Sequence, residues 1–240
     1  MLPYVTSINI ACGAHAGDPL TIAKLIDVAR NYNVSIGALI GYPDMVSNGE
    51  REIYYGVDEL RAMVIYQLGA LNALLHSRGL EIRHVRTHGF LYKQLYSDLL
   101  MAETVAKAIS EFSSWITLVG LRSPTLVTAC NNANIRHGQE IQVHRRYRKD
   151  GTILPTNIKI DGKNYVERAV AKVREIIQNG RLICDDNEKI RISVDTIHVP
   201  SDNAESVELA RAVSSMIPEP KPLHLDKYDT YFADAAALKK

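Results

Sequence analysis

Histidines, acids and arginines gather just after short β-branched runs, and their types limit which reactions the chain could support. His15 lies in Ala11-Cys12-Gly13-Ala14-His15-Ala16-Gly17-Asp18, a run of small residues ahead of Pro19. Small residues let the backbone turn tightly and leave the imidazole beside a helix N-terminus, whose free N–H groups favour anions. A loop histidine on a rigid scaffold reads as a site residue, whereas Asp18 reads first as an N-cap. His88, in Arg86-Thr87-His88-Gly89, is the second candidate, because imidazoles titrate near neutrality and serve as general acid or base. His84 is expected to brace its strand and His76 to lie on the surface. Gly41-Tyr42-Pro43-Asp44 reads as a turn that Asp44 would brace. Arg145, Arg146, Arg148 and Lys149 place four cations within five residues, which would make either a clamp for a carboxylate or phosphate or a solvated loop. At the last β-like run Asp195 and Ile197 share one face and Thr196 and His198 the other, so no carboxylate–histidine dyad follows from alternation.

Other chemistries lack their signatures. There is no Gly-x-Gly-x-x-Gly, P-loop, His-Glu-x-x-His or Gly-x-Ser-x-Gly sequence. If ATP takes part, a Walker loop of this chain does not hold it. The histidines and aspartates lie too far apart in sequence to read as a metal site, which leaves the metal question open.

The elements that must position these residues follow from two alternating periodicities. Strands are expected at 5–10, 34–39, 82–86, 116–120, 140–143 and 194–199, and helices at 19–31, 57–78, 99–112, 124–132, 165–179 and 204–217. Repeated strand–helix order predicts parallel strands with crossover helices. Asp18-Pro19 and Ser123-Pro124 supply N-caps with first-turn prolines, and Gly79 and Gly180 sit where helices end. Leu60, Val64, Leu68, Leu71 and Leu75 form the stripe of a helix packed on a sheet. Two long loops, 41–56 and 145–164, both follow strands, the edge where α/β proteins build sites. Six strand–helix units fall short of a closed barrel of seven or eight. One domain is expected over 1–240, with 218–240 an irregular tail carrying Pro218, Pro220 and Pro222.

Composition excludes several classes. The 240 residues are 46% hydrophobic and 23% charged, which suits a folded α/β protein, and 28 Lys plus Arg against 27 Asp plus Glu leave a net charge of +1. That balance gives no field for nucleic acid. Cys12, Cys130 and Cys184 are scattered and read as free thiols of a reducing compartment. The N-terminus has no basic and apolar leader, and the longest apolar stretch, 62–75, is broken by Gln67, Gly69 and Asn72, so a cytoplasmic protein without a membrane span is expected.

Taken in order, these residues resemble the LamB/YcsF family, the A subunits of ATP-dependent 5-oxoprolinases. The resemblance runs from Leu2 to about Ile217 and is most specific in Thr6-Ser7-Ile8-Asn9-Ile10 followed by Ala11 to Pro19. Further matches are Gly37-Ala38 with Gly41-Tyr42-Pro43-Asp44, Tyr66 to Leu71, His84-Val85 with His88-Gly89 and Leu91-Tyr92, Val119-Gly120-Leu121, Arg145 with Tyr147, Asp150-Gly151, and Asp195-Thr196-Ile197 with Val199. It implies a distorted (β/α) TIM-like barrel of the glycoside hydrolase/deacetylase type that opens the lactam of 5-oxoproline to L-glutamate. ATP would be coupled through partner subunits B and C. It further implies His15, His88 and Asp44 as catalytic residues, and Asn9, Tyr42, Arg86, Arg145, Tyr147 and Asp195 around the substrate. Family patterns also place a histidine at Leu39, a lysine at Arg86, an acid at His144 and His-Gly-Asp at Pro200-Ser201-Asp202. A first strand with an Asn-x-Asp-x-Gly-Glu signature precedes the matched region in relatives, so one βα unit is expected to be lacking here. The gap would be filled by the proline-rich tail or a second copy of the chain. These departures keep an alternative open, a non-catalytic relative that binds a small carboxylate or assembles with partner subunits.

Overall fold

The computed structural model describes residues 1–154, 165–202 and 204–217; the expected tail at 218–240 lies outside them. A 3-10 turn at Leu2–Tyr4 leads into β1 (Ser7–Ala11), α1 (Pro19–Asn31), β2 (Ser35–Ile40), α2 (Val57–His76) and β3 (His84–Thr87). Two consecutive helices follow, α3 (Gly89–Ser97) and α4 (Leu99–Phe112), then β4 (Thr117–Gly120), α5 (Pro124–Asn132) and β5 (His137–Gln142). The remainder is α6 (Tyr165–Asn179), β6 (Arg181–Ile183), β7 (Lys189–Arg191), β8 (Thr196–His198) and α7 (Ser206–Ser214). Six strands form one parallel sheet in the order β1-β2-β3-β4-β5-β8, and β6 and β7 pair as a separate antiparallel hairpin. The sheet is curled into a half-barrel: β1 and β8 end the order, and both line one open cleft of about 790 Å3.

Helix boundaries follow local chemistry. The Asp18 carboxylate accepts hydrogen bonds from the backbone N–H groups of Leu20 and Thr21, Ser123 caps α5 at Leu126 N–H, and Pro19 and Pro124 occupy first turns. The stripe expected on α2 is buried, with Leu60, Val64, Leu68, Leu71 and Leu75 fully covered. Alternation decides the two faces of the sheet. Ile10, Ile36, Ala38, Ile40, Val85, Leu118 and Ile141 pack into apolar clusters with the helices. Asn9, His84, Arg86, Glu140, Gln142 and His198 hold the opposite set of positions together with Leu39 and Val119, so the concave face gathers polar side chains around two apolar ones.

Three features differ from the sequence expectation. α3 is additional: Leu91 and Leu95 alone supply its buried apolar pair, and its many aromatic and polar residues mask the helical period. The hairpin β6–β7 is also additional, too short for a clear alternation. β5 begins at His137 rather than 140, because pairing of Leu118 with His137 and Val119 with Gly138 imposes strand geometry on poor strand formers. Cys12, Cys130 and Cys184 are all free and buried. No helix among the described residues is long and apolar enough to cross a membrane.

Candidate active site

Four histidines meet the C-terminal end of the sheet: His15 after β1, His88 after β3, His144 after β5, and His198 at the end of β8. Small residues make the first two neighbours possible. The rings of His15 and His88 stack with centroids 4.6 Å apart and planes 14° from parallel. A Cβ added to Gly41 would lie 2.8 Å from His15 Nδ1, and one added to Gly49 would lie 3.2 Å from His15 Cβ. Gly41 and Gly49 of the 41–56 loop are therefore walls of the imidazole pocket. Gly89 is equally constrained: its φ is +59°, and a Cβ there would meet the Gly49 carbonyl oxygen at 2.1 Å.

The hydrogen bonds define what His88 can do. Its Nε2 stands 2.9 Å from the carbonyl oxygen of Asn48. A carbonyl oxygen only accepts, so Nε2 carries the proton and Nδ1 of the neutral ring bears the lone pair. Burial, and secondarily the Arg86 charge, lower the pKa of His88 below the ordinary imidazole value. His15 is 2% exposed, and neither ring nitrogen has a hydrogen-bond partner among the described residues. Burial and the adjacent His88 pull its pKa down to about 4. At neutral pH the stack is an uncharged pair with one oriented basic nitrogen.

Behind it runs a buried ionic network. Arg86 Nε and Nη2 donate to the two carboxylate oxygens of Glu140 at 2.6 and 2.9 Å, and both side chains are nearly inaccessible. Tyr92 donates its hydroxyl to Glu140 at 2.8 Å, Gln142 donates to it at 3.2 Å, and the guanidinium lies 4.7 Å from the Tyr92 ring centre. Burial is the largest single influence and would raise the Glu140 pKa, but the Arg86 charge, the neighbouring His198 and the hydrogen bonds from Arg86 and Tyr92 together outweigh it and hold the carboxyl at about 2. Deeper in the concave face the side-chain oxygen of Asn9 meets His84 Nε2 at 2.9 Å. Gly37 lies between them in register, and a Cβ there would fall 2.2 Å from His84 Nε2.

The remaining expected site residues are placed as follows. Asp44 is buried, and its carboxylate accepts from the backbone and hydroxyl of Ser47, with Arg51 at 3.7 Å, so it ties the 41–56 loop to itself. Tyr42 is buried in the helix layer and donates to Gln94 at 2.6 Å. Tyr147 is buried, accepting from Gln142 N–H at 2.8 Å and closing the turn after β5. Arg145 is half-buried and donates to the Leu154 carbonyl at 2.9 Å. Its neighbours in the cationic run are engaged, Arg146 with Asp185 and Lys149 with Glu188. Asp195 precedes β8 and accepts from Gln139 N–H at 2.8 Å, bracing the β5–β8 pair. The structure thus unites His15 and His88, and sets Arg86 behind them. Asp44, Tyr42, Tyr147 and Asp195 hold loops and strands. The sequence reading did not single out Glu140 or Gln142, although Ile141 and Val143 packed outward leave these two polar residues on the inner face. Among the described residues no three His, Cys, Asp or Glu side chains come close enough together to hold a metal ion.

The LamB/YcsF family model matches residues 1–222. The chain belongs to the LamB/YcsF family. Among its relatives, the 5-oxoprolinase A subunit of Pyrococcus furiosus is 34% identical over 223 residues, covering 91% of this chain and 86% of that one. The protein of the same name from Carboxydothermus hydrogenoformans is 37% identical over 217 residues, covering 89% and 84%. The solved lactam utilization protein of Thermus thermophilus is 31% identical and superposes with a TM-score of 0.82, covering 89% of this chain and 85% of that one. LamB/YcsF membership and the parallel half-barrel are therefore supported by sequence and shape together.

Proposed function

We propose that the chain is the A subunit of an ATP-dependent 5-oxoprolinase and opens the 5-oxoproline lactam to L-glutamate. In this reading the half-barrel is a distorted (β/α) barrel of the glycoside hydrolase/deacetylase type. The observation that carries the reaction is His88, whose Nε2–H is fixed on the Asn48 carbonyl and whose Nδ1 is left basic. Water attacks the lactam carbonyl carbon as its proton passes to His88 Nδ1; the C–N bond then breaks, and the same proton passes to the leaving nitrogen. His15, stacked beneath, keeps the His88 ring in plane, and burial with the Arg86 charge keeps that ring uncharged before the reaction. Arg145 receives the substrate carboxylate, and Arg86, held by Glu140, contributes its positive field at the same end of the sheet. ATP would be bound and hydrolysed to ADP and phosphate on partner subunits B and C, and that hydrolysis would drive the ring opening, in keeping with a chain whose sequence carries no phosphate-binding glycine loop.

One observation favours a second reading, a non-catalytic relative that binds a small carboxylate or assembles with partners: His15 is sealed at 2% exposure by the 41–56 loop. ATP-dependent glutamate release from 5-oxoproline, with the chain mixed with subunits B and C from its own source, separates the two. The enzyme reading expects turnover that His88→Ala and His88→Gln lower by about 100-fold or more, the scale of general acid–base catalysis. Undiminished turnover in both variants removes His88 from the chemistry. Binding of 5-oxoproline without any turnover by the assembled complex favours the second reading.

A further inference from the structure

Two histidines outside the His15–His88 stack stand at the same end of the sheet. His144 follows β5 and His198 ends β8, where Gln142 and His198 are register partners. Their ring centres are 5.6 Å apart with planes inclined at 54°. The Nδ1 atom of each is buried without a hydrogen-bond partner among the described residues. Native proteins pair nearly all such atoms, so two neighbouring unpaired nitrogens call for an occupant that pairs them. His198 lines the open cleft, which gives that occupant a way in.

The chemistry of the occupant is restricted. Burial, with the Arg86 charge after it, lowers the His198 pKa to about 4, and burial with His198 lowers that of His144 to about 3. Uncharged imidazoles do not hold an anion by charge. With its proton on Nε2, a neutral imidazole accepts an N–H at Nδ1. Glu140, a carboxylate on the cleft wall, is already taken by Arg86, Tyr92 and Gln142 and does not compete for that role.

We propose that His198, backed by His144, is a specificity-determining residue that accepts the ring N–H of the lactam, so that the site selects cyclic amides over the corresponding cyclic esters. This rests on the lactam reading above and names the atom by which the lactam is recognised. A lactone of the same shape keeps the carbonyl and the carboxylate but has no N–H to donate.

Calorimetry of the full chain with 5-oxoproline and with its lactone counterpart, 5-oxotetrahydrofuran-2-carboxylate, reads the ratio of their dissociation constants. One net hydrogen bond predicts a preference for the lactam of about five- to tenfold. His198→Ala brings the ratio close to one while leaving lactone affinity unchanged. His198→Asn, whose amide oxygen can stand near the Nδ1 position, keeps most of the preference. An unchanged ratio in His198→Ala overturns the inference and leaves the lactam reading intact. An equal loss of both ligands also overturns it, since that marks a structural role. A wild-type chain that binds neither compound removes the lactam reading and this inference with it.

Discussion

Glu140→Leu removes the acceptor of a buried ion pair while keeping apolar volume at the position. Arg86 would then stay in the half-barrel with neither carboxylate oxygen at 2.6–2.9 Å, and Tyr92 and Gln142 would lose an acceptor as well. Deleting one partner of such a pair leaves an uncompensated charge and costs about 3–5 kcal/mol. Linkage gives the same order. Lowering a carboxyl from its ordinary 4.5 to about 2 represents roughly 3 kcal/mol at about 1.4 kcal/mol per pH unit. The folded-state pKa lies below the unfolded one, so this stability is fully present above about pH 4.5 and is lost as pH falls towards 2. For a chain of this length each kcal/mol shifts Tm by roughly 2 °C, so the variant should melt about 6–10 °C lower at pH 7. The double variant Arg86→Met with Glu140→Leu, which has no stranded charge, should recover most of that loss. Urea unfolding and calorimetric melting at pH 7 and pH 3 measure both variants. A single variant within 1 kcal/mol of wild type at pH 7 would refute the reasoning, because Arg86 would then have found solvent or another partner.

Gly37→Ala places a methyl group 2.2 Å from His84 Nε2, so the Asn9–His84 contact must open. A loss of about 1–3 kcal/mol is expected from overpacking, read by urea unfolding, and a neutral result would show that the β2–β3 spacing yields freely. His15 carries the same linkage sign as Glu140 in a higher pH window, for a different reason: its charged form is the disfavoured one. Its pKa falls from 6.5 to about 4, so the unfolded chain binds more protons between those values and stability declines as pH drops through that window. His15→Asn should flatten this decline by roughly 3 kcal/mol between pH 6.5 and pH 4. Stability profiles of equal slope for variant and wild type would contradict the burial of His15.

Strand–helix alternation, the caps at Asp18 and Ser123 and the leucine stripe of α2 were legible in the sequence because each is a local signal: a period, a side-chain acceptor, or a proline in a first turn. So were the rim histidines, since polar residues after β-branched runs fall at one end of a parallel sheet. The ordered motifs from Thr6 to Pro19 carried the family in the same local way. Register was not local. Whether Arg86 faces substrate or Glu140 depends on how β3, β4 and β5 align, and residues 54 positions apart in sequence meet only after the sheet curls. The His15–His88 stack depends on two glycines of a third segment, and the His88 proton depends on the Asn48 carbonyl there. Sequence by itself determined which residue types reach the site end of the fold. Tertiary structure alone decided which of them are paired, buried and neutral, because pairing and desolvation are properties of neighbours that the chain brings together only on folding.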